Sequence, residues 1–162
     1  MIIRNGQLSD LDEIALIEKN GFAEGQAASR EALKARLEVF PEYFYLLCDD
    51  DGRIVSFADG FVTNEKDLSD EMYQNASWHD KNGSWQMVFG LNTIESERRK
   101  GYAATVLERL ISTAKAEGRL GVVLTCKEAL IPFYGKFGFK DEGVTGKSYI
   151  AGIKWHQMRL VF

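Results

Sequence analysis

The sequence lacks several features that mark specialised protein classes. No apolar run approaches the length of a membrane span, and the first residues, Met1–Arg4, are typical of a strand and not of a signal peptide. The 20 basic residues are outnumbered by 24 acidic ones, so we expect neither a general nucleic-acid surface nor an anionic-membrane surface. These absences favour a soluble cytoplasmic protein.

Cysteine is also scarce. The two cysteines, Cys48 and Cys126, each lie in an apolar, strand-like run. We expect buried free thiols in a reducing compartment, and a disulfide between them is the alternative. The aspartate run Asp49–Asp51 lacks the spacing and the closing glutamate of a calcium loop, and with Gly52 it predicts a hairpin turn. We therefore expect no metal site.

Hydrophobic patterning predicts one mixed α/β domain over residues 1–162. The predicted strands are 2–4, 43–48, 54–63, 85–94 and 120–126, then a strand that follows the glycine turn at 138–139, and finally 148–153 and 155–161, either as a pair around Gly152 or as one bulged strand. The predicted helices are 9–18, 29–40, a short one at 68–73, 105–116, and a short one within 127–139 that Pro132 makes irregular.

The stretch from 85 to 116 combines three elements that together bind anions. An apolar strand-like run ends at Ile94, and apolar residues recur at helical spacing from 104 to 114. Between them lies a turn with three consecutive cations, Arg98–Lys100, followed by Gly101. The free N–H groups and positive dipole of a helix start attract anions, and nearby cations strengthen the attraction. An ordinary solvated basic surface is the alternative interpretation.

The glycine turn differs from two common phosphate-binding motifs, because neither the P-loop pattern nor the three-glycine dinucleotide fingerprint is present. The sequence Arg98-x-x-Gly101-x-Ala103 instead resembles the coenzyme A pyrophosphate loop of the GNAT acetyltransferases. The run Ala129–Phe139, which ends Phe-Tyr-x-x-x-Gly-Phe, closely resembles a second signature of the same superfamily. The resemblance implies the GNAT acyl-CoA N-acyltransferase fold, an α/β (α+β) domain whose mixed sheet of about six or seven strands is flanked by about four helices.

Within the superfamily, the chain is most similar to the arylalkylamine (serotonin) N-acetyltransferase branch. The similarity rests on the run from Cys126 to Tyr134, the 68–72 loop, Phe22, and the segment 155–158, and it is looser in the first half of the chain. It implies acetyl-CoA as cosubstrate and a small-molecule amine as acceptor.

The resemblance also implies roles for individual residues. Backbone groups of Leu91, Asn92 and Thr93 would bind the pantetheine arm and the acetyl carbonyl, and the Leu91 N–H would stabilise the oxyanion. Tyr134 would stand beside the sulfur and protonate the thiolate, although a core aromatic is its alternative role. The predicted pyrophosphate and loop contacts are Arg98, Arg99, Lys100, Gly101, Tyr102, Ala103 and Ala104.

The acceptor side departs from that branch in one respect. Two histidines that would pass the amine's proton to water are replaced by Met87 and Phe89, neither of which accepts a proton. We place these two with Phe22 and Trp155 as residues that contact the substrate. Glu24, in the loop after Phe22, is our candidate base.

Two histidines are further candidates for the proton acceptor. His156 follows Trp155, and His79 lies beside Asp80 in the long loop. Each of the three candidate bases has an ordinary surface role as its alternative.

The sequence thus predicts an N-acetyltransferase that transfers the acetyl group directly to a primary amine in a ternary complex. An acetyl-cysteine route through Cys126 is disfavoured, because no activating histidine lies nearby in the sequence. The alternatives are acetylation of protein or peptide amino groups, and a non-catalytic coenzyme A sensor. The sequence does not define the physiological amine, the acyl-chain preference or the oligomeric state, for which a homodimer is one option.

Overall fold

Helices are interspersed among strands in the computed structural model, which describes residues 1–22, 25–150 and 153–162, with the backbone alone for 146–150. The helices are α1 (Leu11–Gly21), α2 (Arg30–Val39), α3 (Tyr102–Ala116) and α4 (Ile131–Gly135). The strands are β1 (Ile2–Asn5), β2 (Phe44–Cys48), β3 (Ile54–Asp59), β4 (Val62–Thr63), β5 (Trp85–Val88), β6 (Gly90–Thr93), β7 (Gly121–Lys127), β8 (Lys140–Ile150) and β9 (Ile153–Val161).

The strands form two sheets that meet along the segment 85–93. The first sheet has the order β1-β2-β3-β6 and the second the order β4-β5-β7-β9-β8. The described strand pairs are antiparallel except for β5 and β7, which are parallel and connected through α3. Because β5 and β6 follow each other directly, the two sheets diverge where one strand passes into the other.

Apolar side chains of the helices cover both faces of the two sheets. On one face, α1 and α2 pack through Leu11, Ile14, Leu33 and Leu37, and on the other, α3 packs through an apolar stripe that includes Leu107. The result is a three-layer arrangement with a core on each side of the strands. Cys48 and Cys126 lie in these cores as free, buried thiols, so the disulfide alternative does not apply.

Most predicted elements agree with the structure, and the differences are breaks within strands, one short helix and the extent of β8. The predicted helix 29–40 is α2, and the Ser29 hydroxyl caps it by accepting the Ala32 N–H at 3.1 Å. The predicted strands 54–63 and 85–94 are each divided in two, as β3 with β4 and β5 with β6. The aspartate run forms the β2–β3 turn, in which Gly52 has φ +84°.

The end of the chain is a strand pair, β8 and β9, in which the strand predicted after the glycine turn is β8, beginning at Lys140 and extending into the predicted strand 148–153. The helix predicted at 68–73 is instead two short 3₁₀ turns, Asp70–Gln74 and Ala76–Trp78. Gly152, around which the pair was predicted, lies outside the described residues. In the described part of the chain, no helix has both the length and the apolar character needed to cross a bilayer.

Candidate functional site

A β-bulge divides the strand at the centre of the site. Two consecutive residues, Phe89 and Gly90, oppose the single residue Asp59, because the Phe89 N–H donates to the Asp59 carbonyl at 2.7 Å and Gly90 is its register partner. After the bulge the Ile94 N–H donates to Val55 O on β3 at 3.0 Å. By alternation, the backbone groups of Leu91 and Thr93 point away from β3.

The other side of β6 has no strand beside it in the described sheets. Parallel pairing with β7 ends at Val88 and Leu124, although β7 continues to Lys127. β6 is the edge strand of its own sheet. The N–H groups of Leu91 and Thr93 therefore face the gap between the sheets, where they can donate to the carbonyl oxygens of a ligand.

One cavity connects this strand edge with the start of α3. It has a volume of about 290 Å³. Its lining residues are Thr93, Glu97, Arg98, Arg99, Gly101, Tyr102, Ala103, Ala104 and Phe133. Seven of the ten predicted coenzyme A contacts are thus brought together, whereas Leu91, Asn92 and Lys100 are not among the lining residues.

The turn before α3 exposes backbone to the cavity. Arg99 and Gly101 both have left-handed backbone conformations, with φ +64° and +83°. This conformation is unusual for a non-glycine residue, and it directs successive N–H groups to one side, as in anion-binding nests. Glycine at 101 tolerates the conformation and leaves the approach to the helix start free of a side chain.

The three cations of the turn are not equivalent. The Lys100 ammonium lies 2.8 Å from Glu97, and the Arg98 Nε donates to the Thr93 carbonyl at 3.2 Å. Arg98 therefore holds the end of β6 against the turn, while Lys100 is partly neutralised. Arg99 lines the cavity with an exposed side chain.

Tyr134 lies in α4, one residue after the cavity-lining Phe133. Its ring packs edge-on against Phe133 and Phe139, with centroid distances of 5.0 and 5.9 Å. Burial raises the pKa of its phenol well above the usual value, and nearby Cys126 and Tyr73 raise it further. The phenol is therefore protonated at neutral pH and able to donate a hydrogen bond.

The predicted substrate contacts differ in exposure. Met87 is fully buried in the core, and Phe89 is 9% exposed, with its ring 5.0 Å from that of Tyr73. Trp155, on β9, has a buried indole N–H without a hydrogen-bond partner in the described part of the chain. Phe22 follows the last residue of α1 and is half-buried. Their contact with a substrate stays a prediction.

Of the three candidate bases, the two histidines lie in the described part of the chain. Glu24 lies outside the described residues. His79 packs against Phe40 and Tyr43, its Nδ1 accepts the Val62 N–H at 3.1 Å, and burial lowers its pKa, which are features of a structural histidine.

His156 contacts Asp141 at 3.0 Å and is the register partner of Cys126, a proximity that the sequence did not reveal. Burial raises the pKa of the Cys126 thiol to about 11, so the thiol is a poor nucleophile at neutral pH. Among the described residues, no group of three or more His, Cys, Asp or Glu is placed to hold a metal ion.

A sequence model of the acetyltransferase (GNAT) family matches residues 9–139, which include the strand edge, the cationic turn and Tyr134. The chain belongs to the GNAT acetyltransferase family. The fold and the cavity at the start of α3 agree with this assignment, so the predicted fold class is confirmed.

Three individual relatives are each less than 30% identical to this chain. The serotonin N-acetyltransferase of Mesocricetus auratus is 28% identical over 109 residues, which is 62% of this chain and 51% of that protein, so the chain spans about half the length of this relative. The GphF GNAT-like decarboxylase, solved in complex with isobutyryl-CoA, superposes with a TM-score of 0.80 at 17% identity and covers 99% of both chains. The ribosomal-protein-S18-alanine N-acetyltransferase of Escherichia coli gives 0.76 at 18% identity, covering 99% of this chain and 92% of that one.

A buried group of charged residues on the α1 face was missed by sequence reasoning. Arg36 of α2 forms an ion pair with Asp59 at 2.9 Å, and the two side chains are 2% and 0% exposed. Glu18 of α1 is 3% exposed, and its carboxylate accepts the Ala28 N–H and the Asn92 side-chain N–H, each at 2.9 Å. The Asn92 side chain thus faces α1, away from the cavity.

Burial raises the pKa of Glu18 to about 7, and the neighbouring charge of Asp59 raises it further, while Arg36 and two hydrogen bonds oppose the shift. The sequence contained a signal for this group. Glu18 lies four residues after Ile14 and seven after Leu11, on the apolar stripe of α1, where a solvated glutamate is not expected.

Glu18→Gln should change the pH dependence of stability. The folded-state pKa of about 7 exceeds the ordinary value of 4.5, so the stabilising contribution of this group is complete below pH 4.5 and is lost as the pH rises through 7. The amide does not titrate. We expect the free energy of unfolding of Glu18→Gln relative to wild type to increase by about 2–3 kcal/mol between pH 4.5 and 8.

Urea unfolding of both proteins at several pH values measures this difference, and titrating groups that do not interact with Glu18 cancel because they are common to both. A difference that does not vary with pH would contradict the shifted pKa of Glu18.

Proposed function

We propose that the chain transfers an acetyl group from acetyl-CoA to a small primary amine carrying a flat, apolar group. The observation that carries the proposal is the joining of an open strand edge and a helix start by one cavity of about 290 Å³. Family membership supports acetyl transfer, and the weak similarity to a serotonin N-acetyltransferase supports a small amine.

The cavity suits the two chemically distinct parts of acetyl-CoA. The N–H groups at the start of α3, with Arg99 beside them, bind the diphosphate. The backbone of Leu91 and Thr93 pairs with the amides of the pantetheine arm, as an added strand would. Binding at both ends fixes the thioester beside the bulge.

The reaction needs a neutral amine, an oxyanion donor and a protonated leaving group. The Leu91 N–H, which points into the gap, stabilises the tetrahedral oxyanion. The protonated phenol of Tyr134 donates to the departing thiolate. Positioning both reactants in one cleft removes much of the entropic barrier.

The acceptor approaches from the α1 face. There, Phe89 and Tyr73 provide aromatic surface, and the Tyr73 hydroxyl bonds the Thr125 hydroxyl of β7 at 3.1 Å, across the gap between the sheets. The buried indole N–H of Trp155 is available to a polar atom on the substrate. These groups favour an arylalkylamine over a polyamine.

The proposal is tested by measuring thiol release from acetyl-CoA with a panel of amines. Tryptamine- and phenethylamine-like amines should give higher kcat/KM than polyamines or peptides with free N-termini. A higher kcat/KM with peptides would indicate that the acceptor is a protein or peptide amino group and not a small amine. Tight acetyl-CoA binding without amine-dependent release, even at a pH where the amines are neutral, would favour a coenzyme A sensor and overturn the proposal.

Tyr134→Phe should lower kcat by about 100-fold, because the leaving thiolate loses its proton donor. The dissociation constant for acetyl-CoA, measured by calorimetry, should stay within about twofold, since the substitution removes only a hydroxyl group that lies beside the sulfur. Phe137→Leu, which changes another aromatic of the same segment without removing a proton donor, is the control. An unchanged kcat for Tyr134→Phe would exclude Tyr134 as the acid.

A further inference from the structure

Three polar side chains surround the space above Gly90, and we call this space the Gly90 niche. A Cβ atom built on Gly90 would lie 3.2 Å from Asp59 Oδ1, 3.4 Å from Glu18 Oε1 and 3.6 Å from Asn92 Nδ2. Two carboxylates and one amide thus converge on a position where the chain has no side chain.

One of these oxygens has no partner. Asp59 is 0% exposed, its Oδ2 pairs with Arg36 at 2.9 Å, and its Oδ1 has no hydrogen bond within the described ranges. A buried carboxylate oxygen without a donor is costly, and such atoms are rare in folded proteins. The oxygen that lacks a donor is the one nearest the niche, so the niche is suited to an N–H group.

The charges around the niche favour a cation. The charged groups facing Glu18 from the described elements packed against α1 are Asp59 of β3 and Arg36 of α2. Asn92 of β6 and the Ala28 N–H contribute uncharged hydrogen bonds. When both carboxylates are ionised, the single guanidinium leaves one negative charge uncompensated in a buried site.

The niche adjoins the place of acetyl transfer. Gly90 immediately precedes Leu91, whose N–H faces the gap between the sheets, and Gly90 faces α1, the side from which the acceptor approaches. An ammonium group reaching over Gly90 is therefore near both the carbonyl to be attacked and two carboxylate oxygens.

We propose that the Gly90 niche receives the ammonium group of the acceptor amine and that Glu18 accepts its proton. This inference rests on the proposed function and supplies the base that Met87 and Phe89 do not provide. Asp59 is held by Arg36 and orients the ammonium. Glu18, whose pKa of about 7 is matched to neutral pH, takes the proton.

The proton balance of the reaction is complete. The ammonium transfers one proton to Glu18 Oε1 and becomes a neutral amine. The amine nitrogen forms a bond to the acetyl carbon, the carbon–sulfur bond breaks, and the second proton lost from nitrogen neutralises the thiolate by way of Tyr134. Glu18 then releases its proton to water, so each turnover liberates one proton.

The test compares Glu18→Gln with Glu13→Gln. Glu13 also lies on α1 and accepts a backbone N–H, that of Ile54 at 2.8 Å, but it belongs to a different surface of the helix. With a phenethylamine-like substrate at pH 7, we expect kcat to fall by about 100-fold for Glu18→Gln and by less than about twofold for Glu13→Gln. Acetyl-CoA affinity should be unchanged in both.

A second substrate separates proton transfer from structural damage. A fluorinated amine that is already neutral at pH 7 needs no deprotonation before attack, so the defect of Glu18→Gln should shrink to less than about tenfold with this amine. A defect of equal size with both amines would assign Glu18 a structural role and overturn the inference. A kcat of Glu18→Gln equal to that of the wild-type protein would also overturn the inference, while leaving the proposed function intact.

Gly90→Ala tests the niche without removing a charge. The added Cβ occupies the space beside Asp59 Oδ1 and Glu18 Oε1, so kcat for the phenethylamine-like substrate should fall by about tenfold or more, with acetyl-CoA affinity preserved. Unchanged kcat in this variant would show that the ammonium does not enter the niche. If wild type itself shows no amine-dependent turnover, the proposed function fails first.

Discussion

The β-bulge at Phe89 and Gly90, opposite Asp59, determines the geometry of the candidate site. The extra residue shifts the alternation of the strand, so the backbone groups of Leu91 and Thr93 face the gap between the sheets. It also places Phe89 and Gly90 on the same face, toward α1. In the proposed reaction, this one backbone irregularity provides an edge for the thioester on one side and space for the acceptor on the other.

Asp59 connects these two consequences, because its carbonyl holds the bulge and its carboxylate faces the Gly90 niche. A buried cluster of Glu18, Arg36 and Asp59 is weak evidence for stability, since desolvation of the charges offsets much of their attraction. Retaining Glu18 with a raised pKa is destabilising above neutral pH. Such a feature is expected where a site needs a proton acceptor more than the fold needs stability.

Sequence patterning was sufficient for the fold and for the cavity between the end of β6 and the start of α3, because strand, turn and helix are contiguous there. Gly101 and Ala103 lie within one helical turn of each other, so a short sequence motif is enough to identify this part of the site. The proposed acceptor site is assembled from α1, α2, β3 and β6, so no local motif contains it. Two weaker signals were present, namely glycine inside an apolar strand at Gly90 and a glutamate on the apolar stripe of α1 at Glu18.

The most direct test of the open strand edge is amide hydrogen exchange, followed by NMR with and without acetyl-CoA. The Leu91 and Thr93 amides face away from β3, whereas the Asn92 amide faces it. Acetyl-CoA should slow exchange at Leu91, Thr93 and the Gly101–Ala104 amides, and change Asn92 little. Protection at Asn92 alone, or none at residues 91 and 93 in the saturated protein, would contradict thioester binding along β6.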